Sequence, residues 1–282
     1  MKRFMRSPSG QALRYRIALV LEEREGFTFT QFLRLPSQFE ALTGPVLDFL
    51  GAQRVDEPLR IVVVGCSSGA EPYSISSVLL HHRPQLAVTI DAYDIDTDMI
   101  SVARSATYSA SAVLDNALVT PEFVARTFDP SGEFFVVKRH VADRVRFHHA
   151  DVLDPAHASR IAPADIVFAQ NVMCNLQRPM ARRLFDTVVS LMKPRSALFV
   201  DGMDLDMRAS RSRAHGLEPL PYALERIHEE ARVVRGPRYP RYATGLEPFS
   251  HRRAEAERAY ATIFLRDSGR NTYPSEPSSP RR

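Results

Sequence analysis

Short runs rich in Val, Ile and Phe recur along the middle of the chain and predict strands at Ile61–Gly65, Val88–Tyr93, Val145–Ala150, Asp165–Gln170 and Ala197–Asp201. Between them, helices are predicted over Glu71–His82, Thr97–Ser105 and Pro179–Met192, and Pro179 suits a first helical position. Strands that alternate with helices imply an α/β fold whose mostly parallel sheet is wound on both faces. Ala106–Asp143 interrupts the alternation as an insertion, helical at first and then extended around EFFVVKR. Tyr260–Leu265 is short, rich in β-formers and reads as the last strand.

The flanks read differently. Apolar Leu13, Ile17, Val20 and Leu21 fall at helical spacing and predict a helix over Gln11–Glu25. A second helix is predicted over Thr30–Leu50, broken near Pro36 and Pro45. These two make a short helical cap, residues 1–55, before a main domain at 56–266. Residues 1–10, and the Pro-, Ser- and Arg-rich tail at 267–282, are expected to be disordered.

The chemistry concentrates where the first two strands end. IVVVGCSSGAEPYS takes a buried strand through a Gly-rich turn into a helix, and the next strand ends in YDIDTD. Gly65 and Gly69 let the backbone approach a ligand, and Asp94 is placed to accept hydrogen bonds from ribose hydroxyls. The turn lacks both the Gly spacing of a dinucleotide fingerprint and the Lys of a phosphate loop, so NAD and ATP are not the first expectation.

Charge and cysteine content narrow the picture. The net charge is +4, yet the first six residues hold three basic side chains and the segment from Arg266 holds four against two acidic ones. The body is therefore close to neutral, which argues against a nucleic-acid partner. No apolar run reaches the ~18 residues of a membrane span. The N-terminal apolar stretch is short, interrupted by Arg16 and followed by EERE, so it does not read as a signal peptide. The two cysteines, Cys66 and Cys174, are read as reduced thiols of a cytoplasmic protein, and no residues show metal-ligand spacing. The tetrapeptide GLEP occurs at Gly216 and Gly245, which does not make a repeat protein.

Three segments, GCSSGAEPYSIS, AYDIDTDMISVARSATYS and ADIVFAQNVMCNLQ, together resemble chemotaxis-receptor methyltransferases of the CheR type. The resemblance covers roughly Thr28 to Val200 and implies a Rossmann-like class I methyltransferase with S-adenosyl-L-methionine as cofactor and S-adenosyl-L-homocysteine as product. It implies that Gly65, Ser67, Gly69 and Glu71 face the methionine end, Asp94 the ribose, and Ile95, Asp151 and Val152 the adenine. Asn171 and Val172 match an Arg-Asn-Val motif under the sulfonium, with Gln170 in place of its Arg. Thr28, Thr30 and Arg34 match an Asn-x-Thr-x-x-x-Arg element that closes over the cofactor, with Thr28 in place of its Asn. Other readings stay open: Glu71 as a solvated first-turn residue, Asp151 as a turn residue, Arg34 as a surface arginine.

Beyond the fifth strand the chain departs from the resemblance, with DGMDLDMRASR where the family has a His-Ser-Glu type sequence. Asp201, Asp204, Asp206 and Arg208 lie where open α/β sheets bind substrates, and Asn175 replaces an aromatic residue of the family. A carboxylate-rich pocket disfavours a glutamate acceptor and favours an ammonium. The expectation is therefore a small amine- or amino-acid-like acceptor, positioned by Asn171, Asp201 and Asp204 and contacted by Asn175, Asp204, Asp206 and Arg208. The alternatives are a solvated polar loop at this place, a protein-glutamate methyltransferase, and a non-catalytic module that binds the nucleoside. His228, Glu229, Glu230 and Tyr222 are secondary candidates in a downstream lid.

Overall fold

The computed structural model describes residues 30–51, 57–235 and 244–268. In chain order its strands are β1 (Leu59–Val64), β2 (Val88–Asp94), β3 (Thr107–Ser109), β4 (Phe128–Ser131), β5 (Phe134–Val137), β6 (Val145–His149), β7 (Ala164–Gln170), β8 (Met192–Asp201), β9 (Glu218–Pro219) and β10 (Ile263–Asp267). Seven of them form one sheet in the order β6-β2-β1-β7-β8-β10-β9. Strands β6 to β8 in that order run parallel, and β10 lies antiparallel between β8 and β9.

The strands read as unbroken apolar runs because both faces of the sheet are covered. Ile61, Val63, Ile90, Ala92, Phe168 and Phe199 pack on one face, against Ile75, Val78 and Leu79 of the helix Ala70–His82. Val62, Val64, Val167, Ala169, Leu198 and Val200 pack on the other, against Leu184, Phe185 and Val188 of the helix Arg178–Ser190. Pro179 does sit in the first turn of that helix. The chain moves outward from β1 toward β6 on one side and toward β9 on the other. The carboxyl ends of β1 and β7 are thus the switch point of the sheet, the place where open α/β folds bind ligands.

Three segments depart from the expected elements. The helix over Thr30–Leu50 begins only at Pro36; Leu35 is held extended by the following proline, and Leu33 adopts a positive φ of 48°. From Pro36–Ala41 the chain continues through a π-helical turn at Leu42–Val46 into Leu47–Leu50, with Gly44 absorbing the distortion before Pro45. The Ala106–Asp143 insertion is a small antiparallel sheet, order β3-β5-β4, interleaved with short helices. It is tied to the core by the Tyr108 hydroxyl, which donates to the Ser68 carbonyl at 2.6 Å. The last strand starts three residues later than expected, because Tyr260 closes the helix Ala256–Tyr260, and it runs to Asp267, which pairs with Arg195. The helix expected over Gln11–Glu25, residues 1–10 and the tail beyond Ser268 lie outside the described residues. Among the described residues no helix is long and apolar enough to cross a membrane.

Phe168 and Phe199 stack with ring centroids 4.3 Å apart in the middle of the first face, both almost fully buried. Phe168→Ala should therefore cost about 3–5 kcal/mol, read as a lower midpoint in urea denaturation. A loss below about 1.5 kcal/mol would show that the neighbouring side chains collapse into the space.

Candidate functional site

The backbone at the switch point is bent into shape before any ligand is considered. Gly65, Ser67, Gly69 and Asn171 all adopt positive φ, at 72°, 48°, 90° and 59°. Such values cost an L-residue roughly 1–2 kcal/mol, so two non-glycine residues there mark a turn enforced by its surroundings. At Gly65 a Cβ would lie 2.2 Å from Val172 Cγ2, so only glycine fits between the β1 turn and the loop after β7. Gly69 starts the helix Ala70–His82, and Glu71 stands in its first turn.

Asp94 ends β2 opposite this turn. Its Oδ2 accepts the Ser67 N–H at 2.7 Å and its Oδ1 accepts the Asp96 N–H at 2.9 Å, so both oxygens are fixed while keeping lone pairs for further donors. Ile95 beside it is 64% exposed. Asp96 caps the helix Thr97–Ser105, accepting from the N–H groups of Asp98 and Met99. Asp151 follows β6 and makes a local turn, its Oδ1 accepting the Leu153 N–H at 2.8 Å, with Val152 buried beside it.

The strap at residues 30–35 crosses above this turn. Its Leu33 N–H donates to Ser74 Oγ at 2.9 Å. Thr30, Arg34, Gly65, Glu71, Gln170 and Asn171 line one cavity between strap and sheet edge, together with Gln31, Leu35, Gln38 and Phe39. Arg34 is a buried arginine rather than a surface one. Its Nη1 pairs with Asp201 Oδ2 at 3.0 Å, and its Nη2 donates to Gln170 Oε1. Gln170 Nε2 donates to Gln38 Oε1 at 2.7 Å, and Gln38 Nε2 to Thr262 Oγ1 at 2.8 Å. Thr28 lies outside the described residues.

The acidic pocket expected after the fifth strand is not assembled. Asp201 is buried and held between Arg34 and Arg208, the latter at 3.5 Å. Asp204 is the N-cap of the helix Leu205–Ala214, accepting the Met207 N–H at 2.8 Å, with Arg178 at 3.7 Å. Asp206 is exposed and paired with Arg253. Arg208 is 1% exposed and donates to the carbonyls of Ala259 and Ala261, so it has no route to clamp a substrate carboxylate. A helix cap and arginine partners claim these charges, which removes the basis for an ammonium-selective pocket. Asn175 is exposed and donates to the Asn171 carbonyl at 3.2 Å. Of the secondary candidates, Glu230 bonds Ser37, Tyr222 bonds Glu40, Glu229 pairs with Arg232, and His228 contacts the Glu247 carbonyl at 2.6 Å. Glu230 and Tyr222 thus tie the helix Pro36–Ala41 to the helix Leu224–Arg235 and the turn before it. Sequence reasoning passed over Gln38 and Thr262 altogether; only the oddity of a Gln before Asn171 hinted at a polar chain here.

Two buried oxygens at the turn, Ser67 Oγ and Asn171 Oδ1, have no hydrogen-bond partner among the described residues. Asn171 lines the cavity together with Gly65, Glu71 and Arg34, and Ser67 lies two residues beyond Gly65 in the same turn. Such a set suits an amino acid, which carries one cationic and one anionic group, while Asp94 suits a diol. The residues thus fit S-adenosylmethionine. Cys66, by contrast, is no nucleophile: burial, with the Asp94 charge adding to it, raises its thiol far above the usual range. Among the described residues no group of His, Cys, Asp or Glu is arranged to hold a metal ion.

Sheet order, switch point and this donor set define a Rossmann-like class I methyltransferase fold with an S-adenosylmethionine site. Residues 28–211 match the family described as CheR methyltransferase, SAM binding domain, and the chain belongs to that family. A probable biofilm formation methyltransferase WspC of Pseudomonas aeruginosa is 28% identical over 78% of this chain and 51% of its own length. The protein of the same description in Pseudomonas putida is 30% identical over 69% of this chain and 44% of its own. Chemotaxis protein methyltransferase 2 of Vibrio cholerae is 31% identical over 61% of this chain and 60% of its own. The chain thus spans between 44% and 60% of the length of these relatives.

Burial pushes the Glu71 carboxyl up to about 7; Arg34 opposes the rise and Asp201 adds to it. Burial likewise takes Glu247 up to about 7. Both groups hold protons more tightly folded than unfolded, where the ordinary value is 4.5. Their contribution to stability is full below that value and is lost as pH rises through about 7. Melting curves of the unliganded protein at successive pH values should show this loss, and the Glu71→Gln, Glu247→Gln double variant should reduce it. An identical pH dependence in the double variant would assign the effect to other groups.

Proposed function

We propose that this chain transfers the methyl group of S-adenosylmethionine to a side-chain carboxylate of a protein acceptor. The observation that carries this reading is the neutralisation of Asp201 by Arg34 and Arg208, which leaves no acidic pocket to repel an incoming carboxylate. Family membership and relatives described as chemotaxis protein methyltransferases support it.

In this reading Asp94 holds the ribose hydroxyls, and Ile95, Asp151 and Val152 border the adenine. Glu71, Ser67 and the Gly65–Gly69 turn receive the amino-acid end, with Asn171 and Val172 near the sulfur. When bound, the cofactor supplies an activated methyl group on a good leaving group. The chain's own work is alignment and exclusion of water. A carboxylate acceptor is already ionised at neutral pH, so no general base is required of the cavity. Thr30, Gln31 and Asn175 border the approach from the strap and the loop after β7.

Two measurements test the reading. Asp94→Ala removes an acceptor for two hydroxyls and should weaken S-adenosylhomocysteine binding by roughly 1–3 kcal/mol in titration calorimetry; unchanged affinity would refute the ribose assignment. Incubation with methyl-labelled cofactor and a purified chemoreceptor signalling domain should place label on the protein as base-labile esters. Label that appears only on added small amines, and not on protein, would overturn the carboxylate acceptor.

A further inference from the structure

The polar contacts around Arg34 close on themselves. Starting at Thr262 Oγ1, the path runs through Gln38, Gln170, Arg34, Asp201 and Arg208, and ends on the carbonyl of Ala261, the residue next to its start. Every side chain in the ring is buried. It threads the strap, the ends of β7 and β8, the helix Leu205–Ala214 and the approach to β10. Ala261 and Thr262 lie beyond the residues matched to the family, so the ring is closed by a part of the chain that the family match does not reach.

A ring of this kind fixes direction as well as position. Arg34 reaches the cavity from a segment without regular secondary structure, and its planar fork has many alternative orientations available. Asp201 restricts these by accepting Nη1, while Gln170 accepts Nη2. Arg208 Nη2 lies 3.5 Å from the other oxygen, Asp201 Oδ1, so both carboxylate oxygens face an arginine. The guanidinium is therefore presented beside Glu71, on the side of the cavity suited to the amino-acid group.

We propose that Asp201 is a positioning residue: backed by Arg208, it aims Arg34 at the amino-acid end of the bound cofactor. The inference rests on the S-adenosylmethionine reading above. It makes cofactor affinity depend on the Ala261–Thr262 junction, far from the ligand in sequence, and gives Asp201 a role on the donor side of the reaction rather than the acceptor side.

The test compares two ligands by titration calorimetry: S-adenosylhomocysteine, and 5′-methylthioadenosine, which shares the nucleoside and sulfur but lacks the amino-acid group. Asp201→Asn should weaken S-adenosylhomocysteine at least about tenfold, as expected for loss of a charged hydrogen-bond partner, and change 5′-methylthioadenosine less than about twofold. Thr262→Val, which keeps side-chain shape and only opens the ring, should show the same selectivity at smaller size. It decides the matter if Asp201→Asn does not fold. Equal weakening of both ligands, or of neither, in the folded variants would make the ring purely structural and overturn the inference while leaving the cofactor reading intact. Failure of the unaltered protein to bind either ligand would overturn both.

Discussion

One buried carboxylate sets the terms for the rest of the molecule. Asp201 ends β8 with its oxygens shared between Arg34 and Arg208, and all three groups are removed from water. Desolvating ions is expensive, and the arrangement is stable only with every charge answered. The three residues belong to separate parts of the chain, so the pairing acts as a constraint on assembly: strap, sheet and the helix Leu205–Ala214 must arrive together. The neutral amides of Gln170 and Gln38 extend the constraint to Thr262 without adding charge. An arginine at position 170 would leave the cluster with three cations around one fixed anion.

Much of the architecture was legible because it follows from local rules. Strands buried on both faces show as continuous Val- and Ile-rich runs, and the turn between Gly65 and Gly69 is written in residues that tolerate positive φ. The Asp96 cap is equally local, since it is satisfied within three residues of its own position. What failed was everything settled at long range. Arg208 looks like a substrate clamp beside Asp204 and Asp206, yet it faces Asp201 and carbonyls more than fifty residues away. Arg34 and Asp201 are separated by 167 positions. The composition of the strap at 30–35 allows a helix. Tertiary contact with Ser74 and the extended bias imposed by Pro36 decided otherwise.

The site separates recognition into two chemically distinct ends. Asp94 is locked by backbone donors and does not depend on side-chain neighbours, so the nucleoside end is specified by the fold itself. The other end is built from the fixed charge of Arg34 and from Glu71, whose carboxyl burial pushes up against the opposing pull of Arg34. This division explains why the YDID motif carries so much of the resemblance while the region after β8 carries so little. The first is dictated by backbone geometry at the switch point, whereas the second is free to vary with whatever packs against it.

The placement of β10 has a consequence for synthesis on the ribosome. That strand lies between β8 and β9 in the sheet, yet it is made after both. While residues 202–262 are being translated, β8 presents an unpaired hydrogen-bonding edge, the feature that most readily recruits a neighbouring chain. The parallel half of the sheet can form early in a nascent chain, but Gln38, which lines the cavity beside Gly65, gains its hydrogen-bond partner only after Thr262 emerges. A nascent chain stalled anywhere in that interval would carry the Gly65–Gly69 turn with the polar chain from Arg34 to Thr262 still open at its far end.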